Sequence, residues 1–175
     1  MSSEGPRAEL PSMPYEAGSA DDMAAWEDAL AVMASARTCW LITTQPDGRP
    51  HVMPVWAVWI DGALCFSTDA ESRKGKNLAR DPRCAIAMEH NNFQLVVEGE
   101  ARRLTDEAAL QRFVDAYNPK YDWSLTVRDG GVYDDSGNGG PVFALKPKQA
   151  IGQTDDESFT PTRWRFDWRS SSRQR

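Results

Sequence analysis

The sequence predicts a mainly β domain with flanking helices, folded as a closed or split antiparallel barrel. Short runs of apolar and β-branched residues recur along the chain, and Pro46-Asp47-Gly48, Asp61-Gly62 and Asn91-Asn92 separate them by the few residues that antiparallel neighbours need. Helical patterns are few, and they interrupt the strands rather than alternate with them. A length of 175 residues suffices for one core that buries roughly two-thirds of the unfolded chain's surface, so one domain is expected.

Residues 1–19 are rich in Ser, Pro, Gly and Glu without apolar periodicity and are expected to be a disordered leader. The domain then covers 20–168, and 169–175 form a flexible tail. Asp21 or Asp22 is expected to cap a helix with Met23, Trp26, Leu30 and Met33 on one face, ending near Arg37. A meander follows, with strands at about 39–45, 50–60 and 63–68. Pro54 cannot donate a ladder bond, which places its strand at an edge or bulge.

A short basic helix at about 72–80 comes next, then a hairpin of Arg83–His90 and Phe93–Arg103. Thr105 opens an amphipathic helix carrying Leu110, Phe113, Val114 and Tyr117, and Asn118-Pro119 is expected to stop it. The stretch 121–140 is loop-rich. Strands at about 141–146, 149–153 and 162–168 complete the sheet.

A net charge of −6 argues against nucleic acid as a partner. No apolar run approaches the roughly 20 residues that cross a bilayer, and no signal-peptide pattern opens the chain, so a cytoplasmic protein is expected. Cys39, Cys65 and Cys84 are odd in number and lie in apolar surroundings, which fits buried thiols in a reducing compartment. The metal, nucleophile and nucleotide motifs Cys-x-x-Cys, His-Glu-x-x-His, Gly-x-Ser-x-Gly and Walker A are missing. The Gly-rich run 135–140 precedes a strand and reads as a turn.

The positive charge is local. Arg73, Lys74, Lys76, Arg80 and Arg83 face the single acid Asp81, a patch suited to a small anion. Within Cys65-Phe66-Ser67-Thr68 through Ser72-Arg73-Lys74, an apolar strand runs into a helix start. Ser72 can cap that start, its free N–H groups and dipole favour an anion, and Arg73 and Lys74 add full charges. Lys76 and Arg80 read as ordinary helix-surface cations.

Together with Asp47-Gly48-Arg49-Pro50-His51-Val52-Met53-Pro54-Val55-Trp56, Asn77-Leu78 and Asp81-Pro82-Arg83 in this order, these segments make the chain resemble the pyridoxamine 5′-phosphate oxidase-like split-barrel flavoproteins from about Trp26 to Asp167. The resemblance implies a six-stranded Greek-key split barrel of the FMN-binding type, working as a homodimer with cofactor in grooves between subunits. It implies that Arg73 and Lys74 hold a cofactor phosphate, that Ser67, Thr68 and Ser72 donate hydroxyl bonds to it, that Asn77 is a further cofactor-binding residue, and that His51, Val52, Met53, Pro54 and Val55 lie along the ring.

The ending Thr162-Arg163-Trp164-Arg165-Phe166-Asp167 is similar to that of the deazaflavin-using branch, and no Arg-Leu-x-Pro element of the vitamin oxidases is present. Coenzyme F-420 is therefore the implied cofactor, with FMN as the alternative; Trp164 and Arg165 either cover the ring and meet the anionic tail or are a core tryptophan and a surface arginine. The implied activity is hydride transfer to an unsaturated small-molecule substrate. Such a cofactor does the redox chemistry itself, so no catalytic side chain and no metal site is assigned. A non-catalytic flavin or heme binder on the same fold is the other class; His51 and His90 are the two imidazoles available to it.

Overall fold

A ring of antiparallel pairings organises the chain. The computed structural model describes residues 5–12, 19–155 and 160–167. Its strands are β1 (Arg7–Glu9), β2 (Cys39–Thr44), β3 (Pro50–Val55), β4 (Ala57–Ile60), β5 (Ala63–Ser67), β6 (Arg83–His90), β7 (Phe93–Arg103), β8 (Thr126–Arg128), β9 (Gly131–Tyr133), β10 (Gly139–Gly140), β11 (Val142–Thr154) and β12 (Thr162–Arg165). The α-helices are α1 (Trp26–Ser35), α2 (Arg73–Arg80) and α3 (Glu107–Tyr121).

β2 pairs with β3 and β6, β6 with β7, β7 with β11, and the start of β11 with β5, whose other neighbour is β4. Because β3 and β4 are one run of chain broken at Trp56, these pairings close into a barrel that is split at the break. Two predicted hairpins have the expected turn chemistry: Asp61 and Gly62, and Asn91 and Asn92, all adopt positive φ.

Alternation along the strands separates two cores. Leu41, Leu64, Phe66, Ile86, Leu95, Val97 and Leu145 fill the barrel, and Ala29, Val32 and Met33 of α1 pack onto them with Trp164. Val58, Ala63 and Cys65 point outward from β4 and β5 to meet Leu110, Phe113, Val114 and Tyr117 of α3, and Val132 of the small β8–β10 sheet closes that layer. Burial of these side chains, at about 1.5–3 kcal/mol each, is the main stabilising contribution.

Several expectations are corrected. Residues 7–9 of the expected leader form β1, which pairs with β12 through Ala8 opposite Trp164 and is held by Glu9, whose carboxylate meets Arg165 at 2.6 Å. Three residues carry too short a pattern to read as a strand. Asp21 and Asp22 belong to a separate 3₁₀ turn capped by Ser19, and α1 starts after Ala25, whose N–H is bonded by the Asp28 carboxylate at 3.0 Å.

α3 is capped by Asp106 and runs through Pro119 to Tyr121. Its last turn survives the missing N–H because Lys120 and Tyr121 are bonded to β4 and α1. The strand expected over 50–60 changes partner at Trp56, whereas those expected at 141–146 and 149–153 are one strand with a register shift between Pro147 and Gln149. Trp168, the tail 169–175 and parts of the leader lie outside the described residues.

Candidate functional site

The turn between β5 and α2 is built by hydroxyl groups. Ser72 caps α2: its Oγ accepts from the Gly75 N–H at 3.1 Å and donates to the Asp69 carbonyl at 2.7 Å. Thr68 Oγ1 lies 3.3 Å from that Oγ, and Ser67 Oγ donates to the Gly140 carbonyl at 3.3 Å. A Cβ on Gly75 would fall against the Asp69 and Ala70 carbonyl oxygens, so glycine is what lets the helix start lie on its own turn. The three hydroxyls expected on a phosphate are thus occupied in shaping the loop, which leaves the first N–H groups of α2 and its cations facing out.

The five cations of the patch divide cleanly. Lys76 meets Glu71 at 3.1 Å, Arg83 meets Asp81 at 2.7 Å, and Arg80 donates to the Thr44 carbonyl at 2.6 Å. The Arg83 guanidinium holds the Asp81 carboxyl down at about 2. The Arg73 and Lys74 side chains form no ion pair or hydrogen bond among the described residues, though the Asp47 carboxyl, held below the usual range chiefly by Arg49, is near enough to Arg73 to be lowered by its charge as well. Two unpaired charges therefore sit on the first helical turn, where the dipole is also positive.

The inner face of α2 ties this turn to the meander. Asn77 and Thr43 are both buried, and Asn77 Nδ2 donates to Thr43 Oγ1 at 3.0 Å. Thr43 stands opposite His51, and β3 has β2 as its only ladder partner among the described residues. The far edge of β3 is open, as Pro54 requires. Val52 and Met53 are exposed, Val55 turns into the core, and His51 is half-buried with its Nδ1 enclosed and without a partner among the described residues.

A family model described as pyridoxamine 5′-phosphate oxidase matches residues 25–151. The chain belongs to this family. The pyridoxine/pyridoxamine 5′-phosphate oxidase of Thermobifida fusca (strain YX) is 36% identical over 92 residues, covering 50% of this chain and 42% of that protein, so the chain spans less than half of that relative's length. Among solved structures, a conserved hypothetical protein of Mycobacterium tuberculosis is similar at 25% identity and a TM-score of 0.63, covering 79% of this chain and 90% of that one. An F-420 reductase is similar at 20% identity and a TM-score of 0.53, covering 69% and 93%. The last two share the fold.

In this pyridoxamine 5′-phosphate oxidase family member, Trp164 is a core residue. It is 1% exposed and packs edge-on against Trp26 with ring centroids 5.4 Å apart, because the inward face of β12 seals the barrel under α1. Arg165 is exposed but held by Glu9, and β6, β7 and β11 lie between its strand and β2 in the sheet. Within one chain, then, the structure brings together Ser67, Thr68, Ser72, Arg73, Lys74, Asn77 and β3, places Trp164 in the core, and sets Arg165 across the sheet on a groove that Ile42 and Thr44 of β2 also line.

Two residues that tie α2 to β2 have contacts the sequence reading did not give them: Thr43, which it did not single out, and Arg80, which it read as an ordinary surface cation. Thr43 is the polar member of the inward series Cys39, Leu41, Thr43, and a polar residue at a core position was the available signal. Arg80 looks like any cation near a helix C-terminus; nothing local shows that its guanidinium reaches Thr44. The arrangement suits a ligand with a phosphate and a flat hydrogen-bonding ring. Arg73, Lys74 and the helix start would hold the former, and the open edge of β3 the latter.

Proposed function

We propose that this chain is an oxidoreductase that uses reduced coenzyme F-420 to pass a hydride to an unsaturated small molecule. The observation that carries the cofactor reading is the pair of unpaired cations, Arg73 and Lys74, on the capped start of α2 beside the open strand β3. When bound, such a cofactor supplies the hydride chemistry. The chain's own residues bind and orient it. The likeness in fold to an F-420 reductase and the Thr162–Asp167 ending support the deazaflavin over other ring systems.

The protein acts as a homodimer in this reading. Outward residues of β2, β3 and β6 form one apolar face, with Trp40 opposite Pro54 and Ala87, and Ile42 opposite Val52 and Ala85. Trp40 and Val52 are about half exposed, which suits burial against a second copy. Trp164, buried in the core of its own chain, takes no part in that groove, and Arg165 is the exposed residue of the two. The three thiols, all free, fit a reducing cytoplasm.

An FMN-dependent oxidase or reductase is the second reading, favoured by the relative named as a pyridoxine/pyridoxamine 5′-phosphate oxidase. Titration of the purified protein with coenzyme F-420 and with FMN, followed by cofactor fluorescence, decides between them. Saturable binding of the deazaflavin, with hydride transfer to a test enone, is the expected result. Preferential FMN binding with a copurified yellow flavin spectrum overturns it.

A further inference from the structure

Asn77 is too deeply placed to be a direct ligand for an anion at the surface, and its surroundings show another task. It follows Lys74 by three residues and Arg73 by four, so it continues the helical stripe that begins at the two unpaired cations. At 2% exposure, its amide donates to Thr43 Oγ1, itself 1% exposed, and that hydroxyl lies 3.5 Å from the His51 carbonyl to which it donates. The only other side-chain hydrogen bond from α2 to β2 or β3 among the described residues is Arg80 to the Thr44 carbonyl, at the opposite end of the helix. His51 contributes no second tie, because its Nδ1 has no partner among the described residues.

The route from the phosphate-facing turn to the edge strand thus runs through one buried pair. Its position matters because a rigid ligand gripped at two points gains from the second grip only if both are held at the right separation; a displaced anchor loses that gain without losing its own chemistry. Helix α2 has eight residues and a polar, charged surface, so little apolar packing fixes its offset from the meander: Leu78 is its one large buried side chain.

We propose that Asn77 and Thr43 are positioning residues, a strut that sets the spacing between the Arg73–Lys74 turn and the His51–Val55 strand so that one cofactor engages both. The proposal rests on the cofactor reading above. It predicts that the strut is worth nothing to a ligand that uses one anchor and much to a ligand that uses two.

The test compares phosphorylated and phosphate-free ligands: FMN against riboflavin, and coenzyme F-420 against its phosphate-free deazaflavin chromophore. In the wild-type protein the phosphorylated member of at least one pair binds more tightly. In Asn77→Ala and Thr43→Val that preference falls by about tenfold or more, while the phosphate-free affinity stays within about twofold. Thr43→Ser, which keeps the hydroxyl, retains the wild-type preference. Thr43→Val preserves side-chain shape and carries the test if Asn77→Ala does not fold. A phosphate preference kept intact in the folded variants overturns the strut alone. A wild-type protein that binds neither pair, or both members of each equally, overturns the cofactor reading and the strut with it.

Discussion

The Tyr121 hydroxyl accepts from the Ala57 N–H and donates to the Ala57 carbonyl, both at 2.8 Å, and so clamps the chain where it leaves β3 and enters β4. Lys120 donates to the same carbonyl at 2.9 Å and to Met33 at 2.7 Å, which ties the end of α1 to the same point. The split in the barrel is thereby held from outside by the last turn of α3. Tyr121→Phe leaves a buried N–H unpaired and is expected to lower stability by about 1–3 kcal/mol, read as a lower urea midpoint with unchanged slope.

Lys74→Ala and Arg73→Ala are each expected to weaken cofactor binding by about 1.5–3 kcal/mol, the scale of a charged hydrogen bond. Lys76→Ala, which loses an exposed pair with Glu71, is the control and leaves affinity unchanged. Fluorescence titration of the three variants checks both statements.

Trp164→Ala is expected to cost about 3–5 kcal/mol of stability, because it empties the contact between α1 and the barrel floor. A variant that melts like the wild type and loses only cofactor affinity would contradict the buried placement.

Alkaline pH is expected to destabilise the fold. Burial pushes the Cys65 and Cys84 thiols and the Tyr117 hydroxyl up to about 12, and pushes Cys39 and Tyr121 upward as well. These groups keep their protons in the folded chain after the unfolded chain has released them. Their contribution is fully present below the unfolded values, near pH 9 for the thiols, and is lost as pH rises toward the folded ones, at about 1.4 kcal/mol per pH unit for each group in its window. Lys120 opposes the trend, since burial lowers its pKa and the unfolded chain binds the extra proton. Five groups outweigh one, so the urea midpoint falls between about pH 8 and about pH 11.

Val52→Asp and Trp40→Glu place charges on the outward face of β2 and β3 and are expected to give a monomer, with the fold retained. Sedimentation or light scattering reads the change in mass, and circular dichroism reads the fold.

Much of this was legible from short-range signals, because those signals are local physics. Asp61-Gly62 and Asn91-Asn92 demand positive φ at adjacent residues and so define their hairpins; Ser72 three residues before Gly75 defines a helix start; five cations against one acid define a patch. The strand periods then follow from alternation, and the barrel expectation from short antiparallel strands interrupted by few helices. What no local pattern contains is partner choice across the sheet. The switch of pairing at Trp56, the recruitment of residues 7–9 by β12, the passage of α3 through Pro119 and the burial of Trp164 each depend on contacts between residues far apart in the chain. The same holds for the division of the basic patch: Arg80 finds a carbonyl on β2 while the Arg73 and Lys74 side chains have no ion pair or hydrogen bond among the described residues, and only the packing of helix on sheet separates them.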